Sequence, residues 1–136
     1  LLKPPYRRIT AIDLNTGAHV WQIPFGKGPT DHPEIAHLDL GPLGSPYGDV
    51  VAEGGILVTK TLLISYLAQK DEIDEDAHGS ILVAHDKASG ELVAELMVEQ
   101  RLHGAPMSYM HDGKQYIAVA GGGRDSDAEL IVFALP

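Results

Sequence analysis

The stretch ITAIDLNTGAHVWQIPFG, residues 9–26, is written twice in this chain of 136 residues. It returns as ILVAHDKASGELVAELMVE at 81–99, with the apolar, turn and apolar segments in the same order. One constant offset of 73 positions aligns Ala11 with Ala84, Asp13 with Asp86, Thr16 with Ser89, Gly17 with Gly90, and Val20 with Val93. The repeat indicates that one structural unit is used at least twice.

Each copy places turn residues between two runs that are typical of β-strands. Asp13 and Asp86 can accept backbone N–H bonds within a turn, and Gly17 and Gly90 can supply the positive φ that closes a hairpin loop of about four or five residues. Val and Leu alternate with polar residues on either side, as half-buried strands require. We therefore expect two hairpins, in which 9–13 pairs with 18–23 and 81–86 pairs with 91–97.

A second pair of matched stretches lies around these hairpins. GSPYGDVVAEGGILVTKT (44–61) and GAPMSYMHDGKQYIAVAGG (104–122) both run from Gly, a small residue and Pro into a strand, a glycine-containing turn and another strand. Proline at the head of each run suits the start of a strand or an edge strand, where no ladder donor is lost. The matched stretches together predict one antiparallel sheet with strands at 46–52, 55–61, 81–86 and 91–97.

Short antiparallel strands that recur with glycine-rich turns and little helical periodicity predict an all-β fold. Four-stranded sheets in repetition are typical of a β-propeller, and at about 40–50 residues for a blade the chain holds about two to three blades. We expect a single, partial propeller that was cut from a longer protein. Its predicted parts are the end of one blade at 1–25, a full blade at 44–97 with an insertion at 62–80, and a partial last blade at 104–136.

Composition excludes several classes of partner. Lys and Arg number 10 against 19 Asp and Glu, and the resulting formal charge of −9 predicts no binding to nucleic acid or to an anionic membrane surface. The chain has no cysteine, which excludes disulfides and thiolate metal sites but leaves the redox compartment undecided. No signal-type apolar segment is present, nor an apolar run near about 18 residues.

The pattern A-x-D-x-x-T-G-x-x-x-W at 11–21 resembles the tryptophan-docking repeat of the dehydrogenases that depend on pyrroloquinoline quinone (PQQ). LHGAPMSYMHDGKQYIAVAGGG (102–123), followed by ELIVFALP (129–136), resembles the C-terminal end of their eight-bladed propeller, most closely in the membrane-associated glucose dehydrogenase type. The resemblance covers nearly the whole chain except 62–80. It implies that PQQ and Ca²⁺ lie on the propeller axis of the parent enzyme.

The same resemblance implies the parent's partners and location. These are the remaining propeller blades of the parent chain, a small alcohol or sugar as substrate, and a quinone or a cytochrome as electron acceptor. A periplasmic location follows from it, with membrane association through an N-terminal region left open.

The site residues that the resemblance implies are structural. Trp21 is expected to be largely buried as the docking residue between the sheets of adjacent blades, and the repeated turns supply the other docking positions: Asp13, Gly17, Asp86 and Gly90. The second copy departs from the pattern because Ala94 stands where Trp is expected. A full girdle of docking tryptophans is therefore not expected.

No segment matches the family's catalytic Asp or its calcium carboxylates, so no catalytic residue, metal ligand or cofactor contact is assigned. The position from which this part of the propeller could approach the quinone falls at Gly79–Ser80, directly after the predicted insertion, and does not match.

Four other groups of residues carry chemical side chains, and an ordinary structural role is favoured for each. They are Asp31, His32 and His37 in a loop without a recognised metal spacing, the acidic run 71–78 without EF-hand spacing, the glycines 121–123 without a phosphate-binding Lys or helix start, and His85 and His103 beside strand ends.

Two function classes remain open. The first is part of a PQQ-dependent alcohol or sugar dehydrogenase, in which this segment supplies wall and floor to the cofactor chamber and is inactive alone. The second is a cofactor-free propeller of the same repeat, used as a protein-binding scaffold. The ending GKQYIAVAGGG with ELIVFALP favours the enzyme, whereas the missing second Trp favours the scaffold, and fold alone does not decide between them.

Overall fold

The computed structural model describes residues 5–26, 28, 30, 32–44, 55–70, 78–122 and 127–135. More than half of these residues lie in β-strands, and the helical structure in the described part is a single turn of 3₁₀ helix at Ala36–Leu38. The all-β prediction is therefore confirmed. The strands are β1 (Arg8–Ile12), β2 (His19–Pro24), β3 (Leu57–Val58), β4 (Leu62–Lys70), β5 (His78–Asp86), β6 (Leu92–Val98), β7 (Leu102–His111), β8 (Lys114–Gly121) and β9 (Glu129–Ala134).

The chain divides into two compact units, of which the first comprises 1–50 and 88–90. Its described strands, β1 and β2, form the antiparallel hairpin that the repeat predicted, and Ala11 lies opposite Trp21 in the register. A bulge follows Ala11 in this pairing. The connection after β2 is joined to the residues just before β1, because the amide of Tyr6 donates to the carbonyl of Leu43 over 2.8 Å.

The second unit comprises 51–87 and 91–136 and contains two antiparallel sheets. One sheet has the strand order β3-β4-β5-β6, which is the four-stranded sequential pattern of a propeller blade. The other has the order β7-β8-β9. The hairpin predicted at 81–86 and 91–97 is present as β5 and β6. The first strand predicted for this blade, 46–52, lies outside the described residues.

The prediction that 62–80 is an insertion is wrong for its described residues. Residues 62–70 form β4, a central strand that pairs with β5 without interruption from Leu62 opposite Asp86 to Lys70 opposite His78. The run LLISYL is almost continuously apolar, as a strand buried on both faces is, whereas the acidic residues that follow it suggested a solvated loop. The predicted strand 55–61 is correspondingly reduced to Leu57–Val58.

The core of the second unit lies between its two sheets. Its buried side chains come from β4, β5 and β6 on one side and from β7 and β8 on the other: Ile64, Tyr66, Leu82, Val98, Leu102, Ile117 and Val119. Each fully buried aliphatic side chain contributes roughly 1.5–3 kcal/mol, so this cluster holds the two sheets together.

Two hydrogen bonds also connect the two sheets. The hydroxyl of Tyr66 donates to the carbonyl of Gly104 over 2.8 Å, and the amide of Leu102 donates to Oγ of Ser80 over 2.9 Å. Ser80 has 0% exposure. The polar groups buried at this contact are therefore satisfied by one another, as a close-packed interior requires.

The hairpin of β7 and β8 closes with Asp112 and Gly113, both at positive φ (49° and 75°), which is the geometry of a tight turn that follows strand twist. One face of this sheet packs into the core. The opposite face, which we call the open face of the three-stranded sheet, keeps large apolar side chains exposed: Met107, Tyr109, Leu130 and Val132. In the part of the chain that the structure describes, no helix is long or apolar enough to cross a membrane.

Candidate functional site

The first repeated turn is held by its aspartate. Oδ1 of Asp13 accepts from the amide of Asn15 over 2.7 Å and from the amide of Thr16 over 3.2 Å. The carbonyl of Asp13 accepts from the amide of Gly17, which has φ of 72°. A short acidic side chain is needed here because it satisfies the turn's amides locally, and glycine is needed because other residues are strained at positive φ.

The second turn repeats the closing hydrogen bond at the same offset. The amide of Asp86 donates to the carbonyl of Glu91 over 2.8 Å, as the amide of Asp13 donates to that of Ala18 over 2.9 Å. Gly90 has φ of 79°, close to that of Gly17. Lys87 adds two further bonds, from its amide to the carbonyl of Thr61 and from Nζ to the carbonyl of Thr59. This turn is therefore tied at its base to the segment that precedes β4.

The two glycines differ in what lies above them. A Cβ at Gly90 would lie 2.8 Å from both Cδ2 and Cε3 of Trp21, closer than real Cβ contacts. A Cβ at Gly17 would meet nothing within 4 Å. The sequence predicted that Trp21 is largely buried. In the structure Trp21 is only partly buried, so that prediction is wrong. The first unit thus brings together Trp21 and Gly90, two of the residues that the sequence singled out, with Ala11 opposite the indole on β1.

A second group of polar residues lies on the four-stranded sheet. Ser65 is 2% exposed and its Oγ has no hydrogen-bond partner among the described residues, and the same is true of Nδ1 of His85. Burial lowers the pKa of His85 from the ordinary 6.5, and the nearby carboxylate of Glu95 offsets part of that shift.

Ser65 was missed from the sequence because LLISYL was assigned to the insertion. Its signal was present in the alternation, which puts Leu63, Ser65 and Leu67 on one face of a strand and Ile64 with Tyr66 on the other. Tyr66, whose hydroxyl joins the two sheets, was missed for the same reason.

His103 has the ordinary role that the sequence favoured. Its Nε2 lies 2.9 Å from the carbonyl of Gly122 and donates to it, and the amide of Gly122 donates to the carbonyl of Arg101. Gly121 beside it has no room for a side chain, since a Cβ would lie 2.5 Å from Cδ1 of Ile131. These glycines serve close packing at the end of β8 and are not followed by a helix among the described residues.

The polar residues that the sequence singled out do not come together as a metal site in the described part of the chain. Within that part, no three His, Asp or Glu side chains gather closely enough to hold a metal ion. His32 and His37 are exposed, and Nδ1 of His32 accepts from the amide of Glu34. Asp31 and residues 71–77 lie outside the described part. Ser80, at the position that could have approached a quinone, uses its hydroxyl to accept from Leu102. No catalytic step is therefore assigned to the residues described.

Comparison with known proteins identifies the family of this chain. Residues 1–117 match the family described as PQQ: Glucose/ethanol/alcohol dehydrogenase, beta-propeller domain. The chain belongs to this family of PQQ-dependent dehydrogenases. The partial propeller predicted from the sequence is consistent with the small antiparallel sheets of this family member.

Relatives of this chain include two enzymes that are named for different substrates. The chain is 32% identical over 140 residues to the quinate/shikimate dehydrogenase (quinone) of Acinetobacter baylyi, an alignment that covers 98% of the chain and 16% of that relative. It is 31% identical over 146 residues to the glycerol dehydrogenase large subunit of Gluconobacter oxydans, covering 98% of the chain and 17% of that relative. The chain thus spans about one sixth of the length of these PQQ-family relatives.

Proposed function

We propose that this chain supplies C-terminal propeller blades to a PQQ-dependent dehydrogenase that oxidises a small alcohol, polyol or sugar and passes the electrons to a quinone or a cytochrome. The observation that carries the proposal is the family match across residues 1–117. Relatives named for quinate or shikimate and for glycerol support hydroxyl-bearing substrates as the class. Glucose, which the sequence resemblance favoured, stays a candidate within that class.

In this proposal the chain builds the scaffold of the cofactor chamber and leaves the chemistry to the rest of the parent. Two observations support the division. The side-chain oxygens of Asp13 and Ser80 satisfy a turn and a contact between sheets, which are structural roles. The stacking of Trp21 on Gly90 has the form expected of a docking contact in a repeated propeller unit. The parent protein would bind PQQ and Ca²⁺ and would be located in the periplasm. The remaining blades of the parent would be the chain's immediate partners.

The full-length protein tests the proposal directly. After purification without cofactor, it is loaded with PQQ in the presence or absence of Ca²⁺, and reduction of an artificial dye is followed with quinate, glycerol, glucose and ethanol. We expect turnover with at least one of these alcohols, loss of turnover on treatment with a chelator, and recovery when Ca²⁺ is restored. Turnover that survives chelation would remove Ca²⁺ from the proposal and leave PQQ in place.

The alternative is a cofactor-free scaffold, which the exposed Ala94 in place of a second docking Trp favours. A full-length protein that fails to quench or shift the absorbance of added PQQ, and that reduces no dye, would establish this alternative. The isolated 136-residue chain serves as the matched control, since we expect it to be inactive under either proposal.

A further inference from the structure

Two unpartnered polar atoms lie on neighbouring strands of the four-stranded sheet. The register places Leu63 opposite His85 and Ser65 opposite Val83, with no irregularity between β4 and β5 in this stretch. Residues directly opposite share a face, and so do residues two apart on one strand. These four side chains therefore occupy the corners of a square on one face, with Ser65 and His85 on one diagonal.

The two apolar members of this square are buried as Ser65 is, whereas His85 is half-buried with its Nδ1 on the inside. Leu63 is 7% and Val83 is 3% exposed, and Nδ1 of His85 has no contact with solvent. Diagonal neighbours in an antiparallel pair have backbone positions about 7–8 Å apart, within reach of longer side chains. Neither atom has a hydrogen-bond partner, so the two are not bonded to each other, and one small molecule between them would satisfy both.

The chemistry of the two atoms selects that molecule. Nδ1 of a neutral imidazole accepts when the ring proton is on Nε2 and donates when Nδ1 carries it, and the hydroxyl of Ser65 can likewise donate or accept, so a molecule that does both can satisfy the two atoms. The apolar side chains of Leu63 and Val83 occupy the other diagonal, which limits the partner to one without charge and without bulk. Buried water typically makes two to four hydrogen bonds to polar groups that are otherwise unsatisfied.

We propose that one ordered water molecule bridges Oγ of Ser65 and Nδ1 of His85 as a permanent part of the sheet. The water donates one hydrogen to Nδ1, and the proton of the neutral imidazole therefore resides on Nε2. This site is separate from the proposed oxidoreductase function and requires neither PQQ nor Ca²⁺. The carboxylate of Glu95, which lies opposite Val83 on the same face, is the charged neighbour of His85 on β6.

A high-resolution crystal structure of the full-length protein tests the site. We expect one water within hydrogen-bonding distance of both atoms, and its loss in Ser65→Ala. Ser80→Ala is the matched control, since Ser80 is equally buried in the same sheet but accepts from the amide of Leu102. An empty gap, a protein group bonded to either atom, or a water that survives in Ser65→Ala would overturn the proposal.

The tautomer of His85 gives an independent readout that needs no variant to fold. ¹⁵N NMR of histidine-labelled protein should show Nδ1 of His85 unprotonated and hydrogen-bonded at neutral pH. His103 provides the internal reference because its Nε2 donates to a carbonyl and must carry a proton. A proton on Nδ1 of His85 would contradict the proposed bridge, in which Nδ1 accepts from the water and the ring proton is on Nε2.

Discussion

The indole of Trp21 lies directly on Gly90, so closely that a methyl group added to that glycine would come within 2.8 Å of two ring carbons. Gly90 therefore meets two demands at once. Its φ of 79° favours glycine for backbone reasons, and the indole excludes any side chain. Gly17, at the equivalent place in the first copy, has nearly the same φ but open space above it. The repeat thus contains its own control for the contact with tryptophan.

Substitution of the two glycines should separate these demands. Gly17→Ala should lower the free energy of unfolding by about 1 kcal/mol, because alanine is strained at positive φ. Gly90→Ala carries the same strain and must also displace the indole, so a further cost of about 1–3 kcal/mol is expected. Urea denaturation of both variants measures the difference. Equal losses would show that the indole moves aside freely.

Removal of the indole itself should weaken the first unit. Because Trp21 is partly rather than fully buried, Trp21→Ala is expected to cost about 2–4 kcal/mol, toward the lower part of the range for large-to-small changes. Trp21→Phe is the matched variant and should recover more than half of that loss. A Trp21→Ala loss below about 1 kcal/mol would show that the ring contributes little to packing.

The double variant Trp21→Ala with Gly90→Ala completes a thermodynamic cycle. Without the indole, the extra cost at Gly90 should disappear and leave only the strain seen at Gly17. Residues in contact typically show coupling of about 0.5–3 kcal/mol in such cycles. Additive losses would contradict a direct contact.

His85 predicts how stability depends on pH. Burial lowers its pKa in the folded protein below the ordinary 6.5, with Glu95 offsetting part of the effect. The unfolded chain then binds more protons than the folded one below that pH, so stability is fully present above 6.5 and declines as pH falls from 6.5 toward the folded pKa.

Denaturation midpoints measured between neutral and mildly acidic pH test this dependence. His85→Gln cannot titrate there and should flatten the decline, leaving whatever the carboxylates contribute. Glu95→Gln should make the decline steeper, because the charge that favours imidazolium is removed. A wild-type curve that His85→Gln does not alter would show that this histidine titrates alike in both states.

The open face of the three-stranded sheet predicts self-association of the isolated chain. Met107 is 53% and Leu130 is 66% exposed on this face, and contiguous apolar surface of this kind drives association. Light scattering over a concentration series should show oligomers for the 136-residue chain, and Met107→Ser with Leu130→Ser should reduce them.

Leu14 provides the control because it is 94% exposed but stands alone in the first turn. Leu14→Ser should leave the association unchanged. A wild-type chain that is monodisperse and monomeric at all concentrations would show that the open face does not drive association.

Local chemistry explains which features could be read from the sequence. The turns at Asp13–Gly17 and Asp86–Gly90 depend on residues within a few positions of one another, so their type and hairpins were predictable. The strand at Leu62–Lys70 was not recognised, because a run buried on both faces lacks the polar alternation of a half-buried strand and its acidic continuation pointed to a loop.

The candidate site depends instead on register. The pairing of β4 with β5 places Ser65 and His85 on one face of the sheet, and a slip of one residue would place them on opposite faces. Nothing local to either residue specifies that pairing. The contact of Trp21 with Gly90 was foreseeable only through the family resemblance, because the two residues are far apart in the chain.

The uninterrupted pairing of β4 and β5 has a consequence for engineering. Lys70 lies opposite His78, so the register of β4 with β5 is complete without residues 71–77, and the number of residues in that connection does not set it. Loop-closure entropy grows so slowly that doubling such a connection costs only about 0.6 kcal/mol. This acidic connection is therefore the natural place to graft an epitope, a fluorophore or a tether to an electrode, with the blade itself left intact.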